Sequence, residues 1–248
     1  MSSSISDTNK FKQFCKQASE DDKVFESFRQ SQPFQEIMEH VSVEIAKQCI
    51  WHMKDGELLS NLPRFKTNDS IGNPNMIIFE QPIGKMAPTT IRYIKILYDL
   101  YRMFGDLSGK NIVEIGTGYG GQAKIIHDAF DVESYTAVDL PECLGVMKKY
   151  LGKFGINDIE YDYKDKNYDL VISNYAFPEC SKNIQDIYIN EILSKAKHGY
   201  MICNFISSKF GINSYSRQEL KDKLNSILKI TVEPEAPITF QGNALLYW

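Results

Sequence analysis

Nowhere in these 248 residues does an uninterrupted apolar stretch approach the roughly 20 residues of a membrane-crossing helix, so no membrane span is expected. The five cysteines (Cys15, Cys49, Cys143, Cys180, Cys203) are odd in number, scattered and never in C-x-x-C spacing. That usage fits reduced thiols in a cytoplasmic protein and provides no zinc or iron–sulfur pattern. Lysine and arginine form no dense cluster beyond pairs such as Lys148 and Lys149, and the net charge is −4. A polyanion therefore has no electrostatic reason to bind, which sets nucleic acid aside as a partner. The opening MSSSISDTNKFK has no basic start, apolar stretch or small-residue cleavage site and reads as a frayed tail rather than a secretory signal. Internal repeats and low-complexity tracts are also missing.

What is present is the composition of a soluble globular chain, 43% hydrophobic and 24% charged, long enough for one α/β domain with an extension. Phe11, Phe14, Cys15, Ala18, Phe25 and Phe28 share a helical face, and after Pro33 so do Phe34, Ile37, Met38, Val41, Ile45 and Cys49. Two amphipathic helices are expected. From Asp55-Gly56 to Pro88 the chain is punctuated by Pro63, Gly72, Pro74, Pro82 and Gly84 and reads as a long irregular segment. Ile91, Ile94, Tyr98 and Tyr101 mark a further helix ending near Gly105.

From residue 111 short β-rich runs alternate with helix-length segments: NIVEI, SYTAV, DIEYDY, YDLVIS and GYMICNF. That rhythm implies a parallel sheet of βαβ units. ILKITVEP and ALLYW follow with no strong helical pattern between them and favour an antiparallel pair.

The chemistry concentrates in VEIGTGYGGQ (113–122), where a strand runs into four glycines and then a helix. Such a turn lies at the carboxyl edge of the sheet, where ligands bind, and glycine lets the backbone approach them closely. Asp139, at the tip of the next strand, can accept the hydroxyl protons of an adenosine ribose, and Leu140 follows it. Gly116, Gly118 and Gly121 spell a dinucleotide site, while Glu114 with Gly116, Gly118 and Gly120 spells an S-adenosylmethionine site. Glu114 suits a sulfonium or ammonium better than a pyrophosphate, the first strand begins only at Asn111, and the ending is antiparallel; these favour the methyl donor.

VEIGTGYGGQ, YTAVDLPECL, YDLVISNYAFPE and the terminal strand pair resemble the class I S-adenosylmethionine-dependent methyltransferases over residues 106–248. IGNP (71–74), APTTIRY (87–93), the DLPE turn, SNYAFPE and GNALLYW further resemble the sugar O-methyltransferase family, which tends to have glycine where Thr117 stands. The resemblance implies a Rossmann-like seven-stranded α/β sheet, mostly parallel with an antiparallel C-terminal strand, over 106–248. An N-terminal helical cap and acceptor-side loop would occupy 1–105. It implies a cytoplasmic S-adenosylmethionine-dependent O-methyltransferase acting on a sugar, sugar nucleotide or surface-glycan precursor in polysaccharide biosynthesis. The N-terminal helices are where a homodimer would form. An NAD-dependent oxidoreductase or epimerase and an inactive methyltransferase-fold binding partner stand as alternatives.

By that resemblance SNYAFPE lies beneath the reacting sulfur, with Asn174 and Tyr175 near the methyl group. Both prolines of the planar-amine motif are missing there, which leaves room for a hydroxyl acceptor. No acidic pair for chelating a metal is evident. Glu179 is the first candidate base, against the alternative that it caps a helix starting near Lys182. His52 beside Trp51 is a second candidate, whereas His198 reads as a helix-terminal cation and His127 as a residue within a helix. Gly116, Thr117, Gly118, Tyr119 and Gln122 are expected to meet the methionine part, with Thr90 and Arg92 at its carboxylate. Asp162 and Tyr163, at the end of the third strand, are expected at the adenine.

Overall fold

The computed structural model describes residues 4, 6–53 and 57–248. The onset of the irregular segment at Asp55-Gly56, and residues 1–3 and 5 of the expected tail, lie outside them; from Asn9 that tail is helical rather than frayed, its first turn capped by Thr8. In chain order the elements are α1 (Asn9–Glu20), α2 (Asp22–Glu26), α3 (Gln32–Ile37), α4 (Val43–His52), α5 (Leu62–Lys66), β1 (Ile77–Ile78), β2 (Lys85–Met86), α6 (Pro88–Phe104), β3 (Asn111–Ile115) and α7 (Gly121–Ala129). They continue with β4 (Ser134–Val138), α8 (Pro141–Gly152), β5 (Ile159–Glu160), β6 (Tyr168–Asn174), α9 (Ala176–Glu179), α10 (Lys182–Glu191), β7 (Ala196–Cys203), α11 (Arg217–Asn225), β8 (Thr231–Pro234) and β9 (Ala244–Tyr247).

Seven strands form one sheet in the order β5-β4-β3-β6-β7-β9-β8. Neighbours from β5 to β7 are parallel, and β9 runs antiparallel to both β7 and β8. The expected sheet and its antiparallel finish are therefore present. Because side chains alternate across a strand, Ile112, Ala137, Ile172 and Ile202 fall into one apolar layer and Val113, Val138, Val171 and Met201 into the other. The N-terminal helices add to the first layer, so Phe11, Cys15 and Phe34 share a core with α6, α7 and α8. Among the described residues no helix is long and apolar enough to cross a membrane.

Each of the two expected N-terminal helices is divided. Asp21 ends α1 and caps α2 by accepting from the backbone of Lys23 and Val24. Ser42 restarts the second as α4 by accepting from the Ile45 N–H. A polar side chain that satisfies free backbone donors favours a cap over helix continuation, which apolar periodicity does not register. The irregular segment also carries more structure than expected, with α5 and the β1–β2 hairpin pairing Ile77 with Met86. His198 lies inside β7 opposite Leu170 rather than at a helix end.

A buried polar clasp joins the helical segment to the sheet. Arg29 is 0% exposed, and its guanidinium reaches Glu39 at 2.6 Å, Asp69 at 3.0 Å and the Asn68 carbonyl at 3.0 Å. Asp69 then caps α6 by accepting from the Ala87 N–H at 2.8 Å and the Thr90 hydroxyl at 2.6 Å. Tyr150 of α8 joins by donating to Asn68 Oδ1 at 2.6 Å. Desolvation raises the Asp69 pKa, although Arg29 and its hydrogen bonds oppose the shift. Arg29→Ala would leave two carboxylates without their cation, and denaturant unfolding should register a loss of about 3–5 kcal/mol. A loss below about 1 kcal/mol would show that the clasp does not hold the segment in place.

Candidate functional site

A cavity of about 660 Å³ opens where β3, β4, β6 and β7 end. This is the crevice of a parallel sheet at which strand order reverses, here between β4-β3 and β3-β6. The break between α3 and α4 supplies one wall through Met38, His40, Val41 and Ser42, and residues 239–243, just before β9, supply another through Thr239, Phe240 and Asn243.

The glycine turn forms the floor. Gly116 and Gly118 have φ of +83° and +55°, and a Cβ would lie 2.0 Å from Ala176 Cβ at the first and 1.8 Å from Met38 Cε at the second. Thr117 needs no such freedom: the non-glycine residues of positive φ, among those described, are Asn73, Asp165, Tyr175 and Phe205. Gly121, the last glycine of the dinucleotide spelling, faces away, with a Cβ there falling 2.4 Å from Tyr93 and 2.8 Å from the Tyr119 hydroxyl.

Three carboxyl groups line the cavity with raised pKa values. Asp139 accepts from the Gly118 and Leu140 N–H groups at 2.7 Å each; burial pushes it up to about 6 while those bonds oppose the shift. Glu114 is 2% exposed and accepts from the Tyr135 hydroxyl at 2.7 Å; burial, with a further contribution from Asp139, pushes it up to about 8. Glu179 accepts from Asn204 Nδ2, and burial pushes it up to about 7. All three shifts arise from the cost of charging a carboxyl group away from water.

The cavity also concentrates unmet hydrogen-bonding capacity. Among the described residues nine buried side-chain atoms have no partner, and six of them belong to lining residues: Thr117 Oγ1, Gln122 Oε1, Asn174 Oδ1, Asn204 Oδ1, Asn243 Oδ1 and Arg92 Nε. Buried polar atoms are normally paired, so this clustering marks where a polar ligand completes the structure. The Arg92 guanidinium lies 5.5 Å from the centre of the Tyr175 ring, and no carboxylate of the described residues forms an ion pair with it. Tyr175 sits in the left-handed region at φ +69° and donates its hydroxyl proton to Glu235. Glu179 does not cap the following helix; Ser181 holds the N-cap position of α10.

The structure brings Glu114, Gly116, Thr117, Gly118, Gln122, Asp139, Asn174, Tyr175, Glu179 and Arg92 to this cavity. It places the other expected residues elsewhere. Tyr119 is fully buried among Phe28, Phe34, Tyr93 and Tyr150, because the helical segment covers that side of the turn with aromatic rings. Thr90 belongs to the Asp69 clasp, so the N-terminus of α6 already holds an internal carboxylate. Leu140 contributes its N–H to Asp139 rather than a lining side chain. Asp162 and Tyr163 lie beyond β5, whose pairing with β4 ends at Glu160; Asp162 is exposed and accepts from the Lys164 N–H, and Tyr163 packs on Tyr188. His52 has its ring against Trp51 at the end of α4 and is not among the lining residues.

Asn204, Glu235, Thr239 and Asn243 were not singled out from the sequence. They come from segments distant in sequence from the glycine turn; Asn243 lies in GNALLYW, and the other three belong to no motif. Among the described residues no group of three or more His, Cys, Asp or Glu side chains is arranged to hold a metal ion.

No family model matches the chain. Among curated proteins it is similar to a fatty-acid O-methyltransferase of Mycolicibacterium smegmatis, at 24% identity over 136 residues, 51% of this chain and 48% of that protein. The chain thus spans about half the length of that relative. Among solved structures it resembles geranyl diphosphate C-methyltransferase from Streptomyces coelicolor, determined with S-adenosyl-L-homocysteine bound; identity is 13%, coverage 65% of this chain and 77% of that one, and the TM-score 0.51. An S-adenosylmethionine-dependent methyltransferase from Aquifex aeolicus gives 16% identity, coverage of 60% and 87%, and a TM-score of 0.44. With its strand order and antiparallel β9, the chain has the Rossmann-like fold of the class I S-adenosylmethionine-dependent methyltransferases.

Proposed function

We propose that this protein is an S-adenosylmethionine-dependent O-methyltransferase whose acceptor is a hydroxyl group of a sugar, sugar nucleotide or surface-glycan precursor. The observation that carries it is the grouping of Asp139, Glu114 and the glycine turn with six unpaired lining atoms in one cavity. Asp139, held by two backbone N–H groups, keeps lone pairs for ribose hydroxyls. Glu114 suits the cationic part of the donor, and Arg92, lacking an anionic partner, suits its carboxylate. When bound, the donor supplies an electrophilic methyl group.

This chain's part is to align the acceptor and receive its proton. Glu179, its pKa near 7 and its position set by Asn204, is placed for the proton. The exposed rings of Phe210 and Phe240 stand at the lining and offer flat apolar faces to a sugar ring. NAD fits less well. Its pyrophosphate would lie near the buried Glu114, and the third glycine of its spelling is used for packing against Tyr93 and Tyr119.

Calorimetry on protein stripped of carried-over ligand should detect S-adenosylhomocysteine and not NAD; the reverse result would reject the proposal. Asp139→Ala should weaken S-adenosylhomocysteine at least about tenfold, as loss of one charge-assisted contact predicts. Glu179→Gln should leave that affinity within about twofold and lower turnover by about 10² to 10⁴-fold. Equal effects of the two variants on binding would remove Glu179 from the role of base.

The pH dependence follows from the raised carboxyl groups. Glu114 is protonated in the empty cavity below about pH 8, and a neighbouring ammonium or sulfonium favours its charged form. Donor binding then releases a proton, so affinity should rise from pH 6 to 8 and level off above. Below about 6 protonation of Asp139 should weaken it further. Titrations in buffers of different ionisation enthalpy check the proton release, and Glu114→Gln should flatten the slope between 6 and 8.

A further inference from the structure

One wall of the cavity is organised by a residue that is not itself among the lining residues. Glu235, 4% exposed, accepts from the Tyr175 hydroxyl, from the Thr239 N–H at 3.1 Å and hydroxyl at 2.6 Å, and from Asn243 Nδ2 at 2.9 Å. Tyr175 meets Oε1 of the carboxylate, and the other three donors meet Oε2. Counting protons on its partners then fixes what they have left. Tyr175 and Thr239 own one hydroxyl proton each, and both are given to Glu235. Asn243 Nδ2 faces the adjacent Glu235 Oε2 and Thr239 Oγ1, at 2.9 Å from each. With its proton on Glu235, Tyr175 Oη, 3.2 Å from Thr239 Oγ1, has only lone pairs to offer, and Asn243 Oδ1 is buried with no partner. Asn204 likewise has a buried, unpaired Oδ1, while its Nδ2 gives one of its two protons to Glu179.

We propose that Glu235 makes this wall a surface of hydrogen-bond acceptors that selects a polyhydroxylated acceptor molecule, two of whose hydroxyls donate to Tyr175 Oη and Asn243 Oδ1. The inference rests on the methyltransferase proposal and specifies how its acceptor is chosen. A ligand without donors at those positions would cover the two oxygens without pairing them, which is the situation in which binding sites discriminate most strongly. Glu235 does not touch the acceptor; it is a positioning residue that sets the polarity of the groups that do.

The full chain and labelled S-adenosylmethionine test this on a panel of nucleotide sugars and methyl hexosides, with palmitic acid and 1-hexadecanol as ligands of few or no donors. The expected result is turnover of a polyol, with at least one of its monodeoxy analogues raising KM about tenfold, the value of one hydrogen bond in a closed site. Glu235→Gln places an amide where the carboxylate stood and forces one partner to reverse its proton. It should raise the parent polyol's KM about tenfold with a small change in kcat, abolish the extra penalty of the deoxy analogue, and leave S-adenosylhomocysteine affinity within about twofold. Asn243→Leu keeps Glu235 in place and carries the same comparison if Glu235→Gln does not fold. A deoxy penalty unchanged in the variants, its absence in the natural protein, turnover of palmitate or hexadecanol alone, or no polyol bound or methylated would each overturn the inference. Failure to bind S-adenosylhomocysteine would instead overturn the methyltransferase proposal, so the two failures are distinguishable.

Discussion

The Arg29 guanidinium, without exposed surface and shared between Glu39 and Asp69, is the interaction on which the rest of the arrangement depends. A charge so deeply placed needs charged and polar partners, so Nε and Nη1, though not the unpaired Nη2, tie together the chain segments that provide them. Glu39 sits in the break between α3 and α4, and Asp69 caps the helix that precedes the first parallel strand. The segment that walls the cavity is thereby held above the glycine turn. Met38, one residue before Glu39, lies so close to Gly118 that a β-carbon there would have to displace its terminal methyl group.

Within that frame the cavity is an assembly of groups whose needs are deliberately unmet. Burial raises Glu114, Asp139 and Glu179, while carboxamides on four separate segments leave oxygens unpaired. Each is a cost to the empty fold that a suitable ligand offsets, which is how binding energy is directed to particular positions. The division of labour also follows the chain. Glu114, the glycine turn and Asp139 come from the ends of β3 and β4, whereas the opposite wall comes from the ends of β6 and β7 and from residues 239–243.

Much of this was legible in the sequence where local pattern and tertiary role coincide. The strand rhythm after residue 111, the glycine turn, Asp139 and the terminal antiparallel pair depend on neighbours in sequence, and all appear where expected. Tyr119, Thr90, Asp162, Tyr163, Leu140 and His52 did not reach the cavity. For Tyr119 the turn's position was right, but the side chain points to whichever side offers apolar burial, and the helical segment provides it. For Thr90 the helix start was right, but Asp69 already occupies it.

The sequence by itself determined the strand order along the chain from residue 111, the parallel core with its antiparallel ending and the glycine turn, since these follow from alternation and backbone sterics over a few residues. Only the tertiary structure decided which polar groups face one another. Arg29 meets Asp69, Asn204 meets Glu179, and Glu235 meets Tyr175 across separations with no local signature. The reason is physical: a buried hydrogen bond is selected by desolvation and geometry after the chain has packed, so its partners are set by the fold rather than by spacing.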